Sequence, residues 1–153
     1  MKNKVVLDVN QIEEIVRKCL FCNVSMVDEN NMPYVVPMNF GFHSGVVFLH
    51  SSKVGKKMDI LKRNNQVCIS FSTDHELRWQ SEQVACSYSM KYRSVLVYGR
   101  VEFVEKPNEK IEALNCIMQH YTEREFTYSE PAVREVAVYR VAIDKMDGRV
   151  YGY

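Results

Sequence analysis

The sequence predicts a mostly antiparallel β-barrel carrying short helices, and two observations lead there. Runs rich in Val, Tyr, Phe and Met alternate apolar with polar residues between short turn-forming clusters, as hairpin-connected strands do. The helical segments between them are few and short, so the crossovers that parallel pairing needs are scarce and a closed barrel is favoured over a doubly wound sheet. A chain of 153 residues, 46% hydrophobic and 25% charged, suits one globular domain spanning 1–153.

The elements follow in order. Asn10 with Glu13 marks a helix start, and Ile12, Ile15, Val16, Cys19 and Leu20 then recur at helical spacing. After them the period changes to two. Cys22 to Asp28, Pro33 to Phe42 and Val46 to His50 read as three strands, separated by Glu29-Asn30-Asn31 and His43-Ser44-Gly45. Gly55 to Asn64 is a second helix, and Gln66 to Thr73 a strand with Val67, Ile69 and Phe71 on one face. Residues 74 to 89, with the only tryptophan at Trp79, are weakly patterned and read as a long connection leading into another strand. Ser94 to Glu105 is a strand. Pro107 opens a third helix with Ile111, Leu114, Met118 and Tyr121 near one face. Glu135 to Ile143 is the last long strand, and Asp147-Gly148 reads as a hairpin turn into Arg149 to Tyr153.

Charge and composition exclude several function classes. Twenty Lys plus Arg against nineteen Asp plus Glu leave a net charge of +1, so no global field recruits nucleic acid or an acidic membrane surface. The N-terminal Met1 to Asp8 has too few apolar residues for a signal peptide, and no hydrophobic run is long enough to span a bilayer. A cytoplasmic protein is expected, in which the five cysteines are free thiols. Cys19-Leu20-Phe21-Cys22 matches C-x-x-C, but it ends a helix, where the dipole opposes a thiolate, so two buried thiols are expected. His75 and His120 lack ligand-like neighbours, and no metal site is expected.

The stretch from Val46 to Lys57 carries the local chemistry, as a strand, a polar turn and a helix start. Lys56 and Lys57 in the first helical turn oppose the macrodipole, a conflict that a bound phosphate would resolve. Ser51 and Ser52 supply hydroxyls, Gly55 allows close backbone approach, and free N–H groups at the helix start point the same way. A solvated turn with its lysines in water is the alternative. His50 shares a strand face with Val46 and Phe48, which fits a hydrogen-bonded structural histidine as well as a functional one. His43 reads as an exposed turn residue.

Four segments together resemble the FMN-binding split-barrel superfamily, best its nitroimidazole-resistance (Nim-type) branch and more distantly pyridoxamine 5'-phosphate oxidase. They are Tyr34-Val35-Val36-Pro37-Met38-Asn39-Phe40, Phe48-Leu49-His50-Ser51 with Gly55-Lys56-Lys57, Tyr92-Arg93-Ser94-Val95 leading into Tyr98-Gly99-Arg100, and Asp147-Gly148-Arg149. The resemblance implies an antiparallel split barrel that holds FMN at the interface of a homodimer. It places the backbone of Pro37, Met38, Asn39 and Phe40 along the isoalloxazine ring, with His50 and Ser51 facing the flavin. It makes Lys57 the phosphate lysine with Lys56 as an auxiliary, and brings Ser94, with Tyr92 and Arg93, to the cofactor from the other subunit.

The activity this implies is flavin-dependent reduction of small nitroaromatic or quinone-like molecules, with NAD(P)H a candidate donor and His50 a candidate proton donor. A module that holds flavin without turnover, and a haem-binding split barrel with His50 as a ligand, are the alternatives. The C-terminal arginine and tryptophan pattern of the pyridoxamine-phosphate oxidases proper is not found, so vitamin B6 oxidation is not expected.

Overall fold

The computed structural model describes residues 3–6 and 8–153; Met1, Lys2 and Leu7, part of the N-terminal stretch read above, lie outside them. Eight strands form one sheet: β1 (Asn3–Val6), β2 (Cys22–Val27), β3 (Pro33–Met38), β4 (Gly41–His43), β5 (Val46–Ser52), β6 (Gln66–Arg78), β7 (Ser89–Val104) and β8 (Val136–Tyr151). Among the described residues four α-helices accompany it, α1 (Val9–Lys18), α2 (Lys56–Arg63), α3 (Pro107–Tyr121) and α4 (Glu130–Glu135), with one 3-10 turn at Ala85–Ser87. The hydrogen-bonded path runs β3-β2-β6-β7-β8-β5-β4, every pairing antiparallel, with β1 added to β8. Among the described residues β3 and β4, at the two ends of the path, do not pair. The barrel is therefore split rather than closed, and residues 39 and 40 bridge its opening.

Alternation selects the interior. Cys22, Val24 and Met26 of β2, Val67, Ile69 and Phe71 of β6, Val95, Val97 and Val101 of β7, and Val47 and Leu49 of β5 are all buried in one cluster. Ile12, Ile15 and Val16 of α1 and Met58, Ile60 and Leu61 of α2 join it. Each such side chain contributes roughly 1.5–3 kcal/mol on removal from water, so the two helices are held by their apolar faces. A second, smaller cluster of Val104, Ala113 and Val138, with Phe48 and Leu114 against it, lies beneath α3.

Several expectations are corrected. Asp8, not Asn10, caps α1, its carboxylate accepting the Gln11 N–H at 3.0 Å. The run from Pro33 to Phe42 is two strands, because the chain must leave one sheet edge and join the other. Residues 74 to 78 are strand: Asp74 at φ 56° sits in a bulge that breaks the alternation, and pairing resumes at Glu76 and Lys91, whose side chains meet at 2.8 Å. The loop 79–88 is thus the tip of a long hairpin, where Trp79 stacks on Tyr88. In α3 the buried residues are Lys110, Ala113 and Ile117, with Ile111, Leu114 and Met118 on the half-buried flank. The small Ala113, rather than the larger side chains, lets the helix approach the sheet. Strand β1 and helix α4 have no counterpart in the sequence reading.

The Asp147-Gly148 turn is the largest correction. Both residues lie inside β8, opposite Leu96 and Val95 of β7, and Gly148 also pairs with Val6 of β1. A side chain at Gly148 would bring its Cβ within 3.0 Å of Ile12 Cγ1 and Val6 Cβ, so close packing of α1 and β1 demands glycine there. Gly148→Asn, a substitution that a hairpin turn accepts readily, should therefore destabilise the fold by about 2 kcal/mol or more. Urea denaturation measures this; an unchanged midpoint would contradict the close packing.

Candidate functional site

His50 and Ser51 lie near the end of β5, opposite Val138 and Ala137 of β8. Successive strand residues point to opposite faces, so the two diverge. The Ser51 hydroxyl turns inward, donating to the Ser52 carbonyl at 2.9 Å and lying 3.5 Å from Met58 Sδ. Tyr139, fully buried, shares that interior, and its hydroxyl lies by Ser51 and 3.6 Å from Met38 Sδ. Burial pushes the Tyr139 hydroxyl up to about 12, which keeps it a neutral donor. His50 is half-buried on the other face, the one that also carries Phe48.

Helix α2 starts directly after this turn. Gly55 precedes it with φ 119° and ψ 170°, a backbone state essentially reserved for glycine. Open space surrounds the position of a Cβ there, so glycine serves the backbone angle rather than a close approach. No side chain caps the helix, which leaves its first N–H groups available. The two lysines part company: Lys56 places its ammonium 4.7 Å over the Tyr34 ring, whereas Lys57 is half-buried beside His50. Among the described residues no carboxylate pairs with Lys57. Burial lowers the Lys57 ammonium, and burial followed by the Lys57 charge lowers His50, so His50 is mainly neutral at pH 7.

The crossing between β3 and β4 is held by the end of α3. Phe40 donates its N–H to the Tyr121 hydroxyl at 3.1 Å, and the Asn39 side chain reaches the same oxygen. The Phe40 ring packs edge-on to Phe71 at 4.9 Å and against His120 at 4.3 Å. His120 Nε2 in turn lies 2.6 Å from the Cys19 carbonyl, which requires the tautomer that donates from Nε2. Met38 and Phe40 are buried while Pro37 and Asn39 remain exposed. Cys19 and Cys22 are buried free thiols, as the C-x-x-C reading expects, and burial pushes them up to about 11 and about 12.

Tyr92, Arg93 and Ser94 are elsewhere. They pair with Tyr151, Val150 and Arg149, whereas His50 pairs with Val138, a separation on the order of 40 Å of strand along β8. Tyr92 stacks on Tyr151. Arg93 meets Asp74 at 2.7 Å and lies 3.9 Å over the Tyr153 ring, while the Tyr153 hydroxyl donates to the Asp74 carbonyl at 2.6 Å. Within one chain, then, the fold gathers His50, Ser51 and Lys57 around one turn and leaves residues 92–94 apart. Tyr139 and Asp74 escaped the sequence reading, as did the bond that Tyr121, placed there only on a helix face, makes to Phe40. Tyr139 does share a strand face with Ala137 and Val141, and that alternation could have found it, but no local signal marks the others.

An antiparallel split barrel with a lysine-bearing helix start at one strand end defines the class. The chain matches the family model described as pyridoxamine 5'-phosphate oxidase over residues 8–150, and it belongs to that family. Among solved structures it is similar to a protein from Bacteroides thetaiotaomicron VPI-5482 assigned to 5-nitroimidazole antibiotic resistance, at 46% identity and TM-score 0.88, covering 97% of this chain and 87% of that one. The fold also recurs in a flavocytochrome from Azotobacter vinelandii, at 21% identity and TM-score 0.83, covering 97% and 70% of the two chains. A protein from Mycobacterium smegmatis that binds FAD and haem shares it at 16% identity and TM-score 0.85, covering 98% and 74%. Among curated proteins none matches.

The geometry of His50 makes a pH prediction. By NMR its ring should titrate below 6.5, and Lys57→Gln should move the midpoint upward without restoring the ordinary value, because burial is the larger cause. The unfolded chain holds this proton more tightly than the folded one. The stability that neutral His50 contributes is therefore complete above about pH 6.5 and is lost as the pH falls below it. A wild-type midpoint at or above 6.5 would refute the arrangement.

Proposed function

We propose that this chain is a cytoplasmic, homodimeric flavoprotein that binds FMN and reduces small nitroaromatic or quinone-like molecules. The observation that carries the proposal is the uncapped start of α2 with the half-buried Lys57, with which no carboxylate among the described residues pairs. Family membership supports the same reading from an independent direction. No helix among the described residues is long and apolar enough to cross a membrane.

The residues present fit a phosphate monoester. The first N–H groups of α2 have no competing side chain, the macrodipole favours an anion there, and Lys57 supplies the countercharge. The Ser52 hydroxyl, which accepts the Val54 N–H at 3.3 Å, retains its own proton for donation. Bound FMN would supply the electron-transfer chemistry that no side chain here supplies. An anion on Lys57 cancels part of the charge that depresses His50, so occupancy of this turn raises the proton affinity of the ring and readies it as a proton donor.

The homodimer is supported by the placement of residues 92–94. Tyr92, Arg93 and Ser94 are remote from His50 along β8, so a site that draws on both groups takes them from two copies of the chain.

The protein as purified should be yellow and release FMN on heating. Lys57→Gln should weaken FMN binding by roughly tenfold or more, the value of a charge-assisted hydrogen bond. Protein that is colourless and refuses added FMN would overturn the proposal, and a Soret band lost in His50→Ala would replace it with haem binding. Bleaching of the bound chromophore by NADH or NADPH, followed by reoxidation with a nitroaromatic, is the expected turnover. No bleaching with any donor would leave a non-catalytic flavin holder. Light scattering should give a dimer mass.

A further inference from the structure

A flavin held between two copies draws on residues 92–94, yet a strand does not present three consecutive side chains to one ligand. Arg93 points to the side of the sheet that α1 covers, where it lines a cavity of about 380 Å³ with Gln11, Glu14, Ile15 and Lys18 of that helix. Its guanidinium is committed there, meeting the Asp74 carboxylate at 2.7 Å and lying over the Tyr153 ring. Tyr92 and Ser94 point to the opposite face.

The cation on that opposite face is Arg149. Residues directly across an antiparallel ladder share a face, and the register places Ser72 of β6, Ser94 of β7 and Arg149 of β8 in one row. The Ser72 hydroxyl lies 2.6 Å from His75 Nε2, so the imidazole stands over the same face. In the tautomer that donates from Nε2, the hydroxyl keeps its own proton for a further acceptor. Tyr92, stacked on Tyr151, borders the row on one side, and the half-buried Leu96 borders it on the other. Arg149 is exposed, and among the described residues no carboxylate pairs with it. Asp147, two residues back on the same strand face, is taken by Lys145 at 2.9 Å. A planar guanidinium between hydroxyl donors suits a phosphate, which it can grip through two N–H groups at once.

Charge indicates where that phosphate belongs. A phosphate monoester carries about −1.5 to −2 at pH 7. Lys57 supplies one positive charge at the start of α2, while the Lys56 ammonium rests over the Tyr34 ring. Within its own chain Arg149 is as remote from His50 as its strand partner Ser94 is. Resting on the FMN reading above, we propose that Arg149, with the Ser72 and Ser94 hydroxyls beside it, is the phosphate-binding group that the second copy contributes. The FMN phosphate then lies between Lys57 of one protomer and Arg149 of the partner subunit.

The test titrates the flavin-stripped, full-length protein with FMN and with riboflavin, which has the same ring and no phosphate. Arg149→Gln should weaken FMN binding roughly tenfold or more, the worth of a charge-assisted hydrogen bond, and leave riboflavin binding unchanged. Arg149→Lys should recover part of the preference for FMN, and Ser94→Ala should weaken FMN about fivefold. The 31P NMR signal of bound FMN should move in Arg149→Gln. The two-copy arrangement is read from mixed dimers of a Lys57→Gln chain and an Arg149→Gln chain, isolated by two different affinity tags. One site of each mixed dimer keeps both cations and should bind FMN with wild-type affinity; a site built within a single chain would leave no such site. Undiminished FMN binding by Arg149→Gln, an equal loss of FMN and riboflavin, or mixed dimers without a wild-type site would overturn the proposal. So would a loss confined to FMN that appears in Arg93→Gln and not in Arg149→Gln. Wild-type protein that binds neither flavin brings down the FMN reading and this assignment together, whereas wild-type protein that binds FMN no better than Arg149→Gln does brings down the assignment alone.

Discussion

Strand β8 is the element on which the rest of the molecule depends. A strand with two open edges must satisfy backbone groups on both sides, and β8 does so by pairing with β7 along nearly its whole length on one edge. The other edge is divided: its first half takes β5 and its last residues take β1. This division separates the two ends of the fold. It puts His50 and the start of α2 at one end, and the Arg93, Asp74 and Tyr153 cluster at the other.

Local electrostatics then differentiate the ends. Around Arg93 the cations Arg93 and Lys18 share Asp74 and Lys91 pairs with Glu76, and Tyr153 is held between Lys91 and Arg93 by its ring and to Asp74 by its hydroxyl. Around Lys57 the opposite holds, because a half-buried ammonium and a half-buried imidazole face each other at a helix start that already carries positive potential. Folding retains this conflict instead of relieving it, and the proposed anion site rests on that. Lys110 offers the contrast. Its ammonium lies at the C-terminal end of α4, where it donates to the carbonyls of Val133 and Val136 and the dipole favours a cation.

The β3–β4 crossing shows how an irregular segment is held without secondary structure. Asn39 and Phe40 leave one sheet edge before joining the other, so their backbone has no ladder to complete. The Tyr121 hydroxyl takes the Phe40 N–H, and the aromatic faces of Phe71 and His120 enclose the ring. Tyr121 and His120 are adjacent in α3, and together they tie the opening of the barrel to α1 through the Cys19 carbonyl. The side chains that hold this segment thus come largely from the end of α3.

Much of the barrel was legible in the sequence because its interior is selected by period-two alternation, which is a local property: Val67, Ile69 and Phe71, or Val47 and Leu49, point inward wherever the strand lies. The β5–α2 turn was legible for a similar reason, since lysines at a helix start and a glycine before it are neighbours in the chain. What remained hidden depends on contacts distant in sequence. Gly148 reads as a turn residue until Ile12 and Val6 pack against it; Asp74 ends a visible alternation until Lys91 resumes the pairing across the hairpin. The buried face of α3 differs from the one its larger apolar residues mark, because Ala113 fits beneath the helix and Lys110 finds the carbonyls of α4. The sequence by itself determined which residues are inside the barrel, through an alternation each strand carries alone. Only the tertiary structure decided which strand ends meet and which polar groups stay without partners, because both depend on how distant segments close around β8.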